Sequence, residues 1–277
     1  MASTSSTPNW LEMPHELMLT IFHKLGAVEI LENAQLVCTN WRRVSKDPAL
    51  WKVIDMNKSI DSLYMDEVYV DLTKQAVNRS SGELIAIIMK WFCTDDLLHY
   101  ISQSSSKLQC LCLSNCFHIT GCGLSDTVKR LAQLEHLYVY HTYIEGQDIE
   151  VIGLNCPHLK SFRLNREFHG NKIESLDVDA CAIAKSMPEL RHLQLLGNTM
   201  TDEGLQFILD GCPLLESLDV RKCFNLNIAG DLVQRCKKQI KDFKCSTEDD
   251  FLEYRLQEEY ENYSDGSYEN YADYYSD

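Results

Sequence analysis

One spacing constrains this chain more than any other feature. The pattern apolar-x-x-apolar-x-apolar occurs six times, as LIAIIM from residue 84, LQCLCL from 108, LEHLYV from 134, LKSFRL from 159, LRHLQL from 190 and LESLDV from 215. Successive starts are 24, 26, 25, 31 and 25 residues apart. Alternation within each segment reads as a short strand whose first, fourth and sixth residues turn inward. A unit of this length cannot bury its apolar side alone, so such units stack and share one continuous core. The interval leaves room for a helix, and the predicted fold class is α/β, a curved solenoid with parallel strands on one face and helices on the other.

Punctuation supports the period. Cys116, Asn198 and Cys223 each stand three residues after the last inward strand residue, the Asn/Cys position of the leucine-rich template. Cys156-Pro157, Met187-Pro188 and Cys212-Pro213 stop a helix shortly before the next strand, because proline cannot continue one. In TDEGLQFILDG, Thr201 is placed to cap a helix with Leu205, Ile208 and Leu209 on its apolar face. Val68, Leu72 and Ala76 mark another helix, and LWKVIDM, 50 to 56, reads as an additional strand at the N-terminal edge. Leu232, Val233, Cys236 and Ile240 line a last helix that would close the open end. The set LxxLxLxxC, Ile119-Thr120, TDEGL at 201 to 205 and CPxL at 156 and 212 resembles the cysteine-containing subclass of leucine-rich repeats. That resemblance implies cysteines that pack and cap turns without doing chemistry.

Charge is unevenly spread. The net charge is −15, and residues 246–277 hold eleven acids and one base, a net −10 that leaves −5 for the rest. That segment also holds seven of the 13 tyrosines and almost no aliphatics, so it reads as a disordered tail. An acidic chain is repelled by phosphates, which argues against nucleic acid or an anionic membrane as the main partner. MASTSSTPNW lacks an apolar signal region and no window approaches ~18 consecutive apolar residues, so a soluble intracellular protein of the nucleus or cytoplasm is expected. The 12 cysteines then point to a reducing compartment and free thiols.

Residues 9–51 have a different grammar. After Met13-Pro14, Leu17, Ile21 and Leu25 recur every four residues, with Phe22 widening the stripe of an amphipathic helix. A second stretch carries Val28, Leu31 and Leu36, and a third carries Val37, Trp41 and Val44 before Asp47-Pro48 ends it. Three short helices are marginal alone, so Trp51 is expected at a seam with the solenoid. The runs MPxELxxxIFxxL and AxLVCxxWRxxxxDPxLW resemble an F-box, with Met-Pro in place of the commoner Leu-Pro. An F-box followed by cysteine-type repeats resembles the F-box/leucine-rich-repeat proteins, in particular their small plant branch. The organisation implied is a disordered N-terminus (1–8), an F-box (9–51), a solenoid (52–245) and the acidic tail (246–277).

The resemblance further implies a non-catalytic substrate-recognition subunit of a Skp-cullin-F-box ubiquitin ligase. Pro14, Leu17, Ile21, Phe22, Leu25, Leu36, Val37, Cys38 and Trp41 would then meet a Skp-type adaptor, and through it cullin and RING subunits, or hold the bundle together. The alternative is a stand-alone acidic leucine-rich binding or inhibitor protein. A helix-turn-helix reading with Arg42, Arg43 and Lys46 conflicts with the acidic body.

Target contacts are expected on the concave face, where side chains alternate with the inward leucines: His136, Tyr138, Tyr140, Arg163, Asn165, His192, Gln194, Asp219 and Arg221. Tyrosine and arginine are enriched at binding hot spots. The 31-residue interval holds an insertion around 166–175, and such loops often bind ligands. Cys110, Cys112, Cys116, His118 and Cys122 lack paired metal-ligand spacing. No phosphate loop or nucleophile elbow occurs. No metal, cofactor or catalytic residue is expected.

Overall fold

The computed structural model describes residues 13–57, 66–142, 144–166, 177–223, 225–227 and 231–245. The expected disordered ends, 1–8 and 246–277, lie outside them, as does the 166–175 insertion beyond Arg166.

Each repeat motif forms a parallel strand of one sheet. Strand β1 (Val53–Met56) is followed by β2 (Ala86–Lys90), β3 (Cys110–Ser114), β4 (His136–Tyr140), β5 (Ser161–Asn165), β6 (His192–Gln194), β7 (Ser217–Asp219) and β8 (Asp242–Lys244), in sequence order across eight strands. Between them run α5 (Asp66–Arg79), α6 (Asp95–Ser104), α7 (Gly121–Val128), α8 (Gly146–Asn155), α9 (Val178–Ser186), α10 (Asp202–Gly211) and α11 (Asp231–Gln239). The inward residues fill the core: Leu108, Leu111, Leu113, Leu134, Leu137 and Val139 are all fully buried. At ~1.5–3 kcal/mol per buried large side chain, each repeat draws most of its stability from this shared layer.

The template cysteines tie each turn to the preceding strand. Cys116 Sγ donates to Ser114 O at 3.3 Å, and Cys223 Sγ donates to Leu195 O at 3.0 Å. A second device joins neighbouring helices. Asp95, at the start of α6, accepts from Thr120 N (2.9 Å) and Thr120 Oγ1 (2.7 Å), and Thr120 caps α7. Asp177 does the same for Thr201, the cap of α10, at 2.8 and 2.9 Å. Gly123 and Gly204 lie in the first turns of those capped helices, where an added Cβ would run into the Asp95 and Asp177 carboxylates.

The helix expected at Val68, Leu72 and Ala76 is α5, and the expected closure of the last repeat is corrected. Val68 is exposed, and the buried side of α5 is Leu72, Thr73, Ala76 and Val77. The end of the stack is also extended, because β8 follows α11 and pairs with β7. Ile240-x-x-Phe243-x-Cys245 repeats the strand template 25 residues after Leu215.

The N-terminal module begins with α1 (His15–Leu25), started after Pro14 and ended at Gly26, whose φ is +80°. Three short pieces follow: α2 (Ala27–Glu29), a π-helical turn (Ile30–Ala34) and α3 (Gln35–Val37). Then come α4 (Thr39–Val44) and a 3-10 turn (Pro48–Trp51), the latter capped by Asp47, which accepts from Ala49 N at 3.0 Å. The main hydrophobic core runs without interruption from Met18 of this module to Ile240.

Candidate functional site

The module presents an apolar outer face. The buried side of α1 is Met18 and Phe22, while Leu17 (55% exposed) and Leu25 (37%) point away and Ile21 is half-buried. Leu36 (72%) and Val37 (63%), at the end of α3, are the most exposed large aliphatics of the module. Residues 17–37 therefore hold four of the ten exposed large hydrophobic residues among the described residues. Exposed large aliphatics gathered in so short a stretch are a feature of interaction surfaces. The remaining expected contact residues divide by depth. Pro14 is exposed, and Cys38 and Trp41 are half-buried. Phe22 is in the core, edge-on to Trp41 with ring centroids 5.4 Å apart. Cys38 caps α4, its sulfur accepting from Trp41 N at 3.5 Å.

The seam is built around Trp51, which is buried and donates from Nε1 to Ser45 O at 3.0 Å. Arg79, the last residue of α5, reaches back across it. Its Nη1 donates to the same Ser45 oxygen at 3.1 Å, its Nη2 to Gln35 Oε1 at 2.6 Å, and its guanidinium lies 5.3 Å from the Trp51 ring centre. Burial lowers the Arg79 pKa, with Arg42 adding to the effect. One side chain thus links the first solenoid helix to two segments of the module. Sequence reading missed it because its partners lie 34 and 44 positions away.

On the concave face the register aligns the outward residues in rows. One row reads Ala86, Cys110, His136, Ser161, His192, Ser217 and Asp242; the next reads Ile88, Cys112, Tyr138, Arg163, Gln194, Asp219 and Lys244. Tyr138, Tyr140, His136 and Arg163 come together as expected from their spacing. The Arg163 guanidinium sits 4.6 Å from the Tyr138 ring centre and donates to Tyr140 Oη at 3.3 Å. Tyr138 Oη donates to Ser161 Oγ at 3.1 Å and lies 3.3 Å from His136 Nδ1. Burial lowers the His136 pKa against an opposing pull from Glu135. Burial likewise pushes the Tyr140 phenol up.

Exposure along this face is uneven. His192 is open and Gln194 half-buried, whereas Tyr138 (2%), Asn165 (8%) and Asp219 (8%) offer little surface. Arg221 chelates Asp219 through Nε at 2.9 Å and Nη2 at 2.7 Å. At the start of the insertion, Arg166 donates to Ile144 O at 2.7 Å and pairs with Asp179 at 2.8 Å. Among the described residues, no three His, Cys, Asp or Glu side chains are grouped to hold a metal ion. Burial pushes the thiols of Cys110, Cys156, Cys212 and Cys223 up to about 12, which leaves them protonated and poor as nucleophiles. Among those residues, no helix is long and apolar enough to cross a membrane.

Comparison with known proteins agrees with both halves. A family model described as F-box-like matches residues 10–57, and one for the leucine-rich repeats of an FBD-associated F-box protein matches residues 172–247. F-box protein SKIP19 of Arabidopsis thaliana is 46% identical, over 87% of this chain and 81% of its own length. F-box/LRR-repeat protein 22 of the same plant is 41% identical over 96% and 90%. F-box/LRR-repeat protein 23 is 44% identical over 90% of this chain, which spans 58% of that relative's length.

Proposed function

The chain belongs to the F-box/leucine-rich-repeat proteins, and from that premise we propose that it is the substrate-recognition subunit of a Skp-cullin-F-box ubiquitin ligase. The module of residues 13–51 docks on a Skp-type adaptor, which connects it to the cullin and RING subunits. The concave face of the solenoid holds the target. The chain itself carries out no bond-making step; ligase chemistry belongs to the assembly.

The observation that carries this reading is the outward apolar face of Leu17, Leu25, Leu36 and Val37. Fully burying a large aliphatic side chain contributes ~1.5–3 kcal/mol, so covering Leu36 and Val37 alone contributes several kcal/mol to docking. The same two positions add nothing to the internal core. Changing both to Asp is therefore expected to leave the melting temperature of the chain within about 2 °C while abolishing co-purification with a Skp-type adaptor. An unimpaired complex from the Leu36→Asp, Val37→Asp double variant would rule out this docking face.

A further inference from the structure

Three bases stand together on the N-terminal module with no acid beside them. Arg42 and Arg43, in the last turn of α4, and Lys46, just after it, are exposed, and residues 39–46 contain no Asp or Glu. Lys24 is exposed too; it follows Leu17 by seven residues along α1 and so lies on the same face. Among the described residues, none of these four bases is in an ion pair. The next acid, Asp47, is taken by His15 Nε2 at 2.8 Å and Ala49 N at 3.0 Å. Arg43 Nη2 donates to a neutral oxygen, Asn40 Oδ1, at 2.9 Å. Arg42 works against its surroundings, since its charge adds to burial in lowering the pKa of Arg79. The fold therefore gives no reason for the cluster. Its position does. Leu36 and Val37 end α3, and Cys38 alone separates them from α4. The exposed acids Glu29 and Glu32 precede that apolar pair and the bases follow it, so charge changes sign across it. An apolar centre with a charged rim is the anatomy of an interface.

We propose that Lys24, Arg42, Arg43 and Lys46 form a basic rim of the docking face, which steers an acidic surface of the Skp-type adaptor onto Leu36 and Val37. The proposal rests on the docking reading and adds the chemistry of the partner's rim. Charges at the edge of an interface act mainly on the rate of encounter, because they remain solvated in the complex and reach about 10 Å through dilute salt. A nucleic-acid backbone would suit the bases but not the exposed aliphatics beside them, and the net charge of −15 repels it.

The test measures association and dissociation rates of the full chain with a purified Skp-type adaptor at about 50 mM and about 500 mM salt. The Arg42→Gln, Arg43→Gln, Lys46→Gln variant is expected to associate about tenfold more slowly at the lower salt, with dissociation changed less than about twofold and the difference gone at the higher salt. Lys24→Gln, on a different helix, is expected to slow association in the same direction. The Arg42→Lys, Arg43→Lys variant is expected to keep the wild-type rate, which separates charge from the contact with Asn40. Carbodiimide is expected to link Lys24 or Lys46 to adaptor carboxylates. An unchanged association rate in the triple variant, an effect confined to dissociation, or a lysine variant as slow as the glutamine one would each overturn the proposal. A fluorescein-labelled DNA duplex bound by the wild type and not by the triple variant, with adaptor kinetics unchanged, would assign the bases to nucleic acid and overturn it as well. Absence of any adaptor complex with the wild-type chain overturns both readings. A complex that Leu36→Asp, Val37→Asp abolishes, while the triple variant associates at the wild-type rate, overturns this one alone.

Discussion

Replacing Arg79 with Met is expected to loosen the module from the solenoid without unfolding the repeats. The substitution keeps most of the aliphatic stem and removes the hydrogen bonds to Ser45 O and Gln35 Oε1 together with the stacking over Trp51. Hydrogen bonds to a charged donor contribute ~1.5–3 kcal/mol each and cation–π contact ~0.5–2 kcal/mol. These gross values shrink in the difference. Ser45 O keeps its bond from Trp51 Nε1, leaving Gln35 Oε1 as the acceptor that loses its Arg79 donor, while the desolvation cost of the guanidinium disappears. A net loss of about 2–3 kcal/mol follows. Since each 1.4 kcal/mol is a factor of ten, amide hydrogen exchange across residues 15–51 should quicken about 30- to 150-fold. Amides of β3 to β6 should not change. Arg79→Lys is expected to lose most of the same protection, because a single ammonium cannot reach both oxygens as a fork does. Unchanged exchange in 15–51, or equal loss in both regions, would refute the idea that this side chain fixes the seam.

Further outcomes follow from other contacts. Gly123→Ala and Gly204→Ala each place a methyl against an aspartate that binds the next helix cap, and each is expected to cost ~1–3 kcal/mol in urea denaturation; Asp95→Ala should relieve the first. Asp47 is depressed by the Ala49 N–H and then by His15, so its contribution is present above the ordinary aspartate pKa of about 3.9 and lost as pH falls through its folded value. His23 is lowered by burial, against a raising pull from Asp47, so its contribution is present above about pH 6.5 and is lost as pH falls through its folded value. Urea midpoints should therefore drop in two stages on acidification, with His23→Gln removing the first and Asp47→Asn the second. Iodoacetamide applied to the native chain should label Cys122 fastest, then Cys38, Cys181 and Cys245, and leave the eight buried cysteines unlabelled by mass spectrometry.

Much of the fold was legible because the repeat writes the same instruction many times. Six of the eight strands sit on six in-phase motifs, and β1 lies within LWKVIDM. β8 was missed although Ile240, Phe243 and Cys245 obey the same template, since Lys241, Asp242 and Lys244 hide a three-residue strand among charges. For α1, a 3.6-residue period identifies apolar stripes without saying which one meets the chain's own core. Leu17, Ile21 and Leu25 make the more regular stripe, yet Met18 and Phe22 are the core side. The concave face shows the matching limit for strands. Alternation assigned Tyr138, Asn165 and Asp219 to that face, but burial depends on the neighbours that the sheet brings alongside, which are distant in sequence.

The two ends of the sheet pose the same physical problem and meet it differently. A solenoid end leaves unpaired strand groups and an open core, both templates for unwanted association. At β1 the N-terminal module and α5 close that end, with Trp51 and Ile54 in one continuous core. The helices proposed to dock on the adaptor are then also the cap, so they cannot drift relative to the sheet without opening the core. At β8 the described chain has no comparable helical cap. The strand is only three residues long, and Asp242 and Lys244 are exposed on either side of half-buried Phe243, a blunted edge of the kind that discourages strand addition. Charge, not packing, therefore guards that end, with Asp242 and Lys244 paired at 3.5 Å.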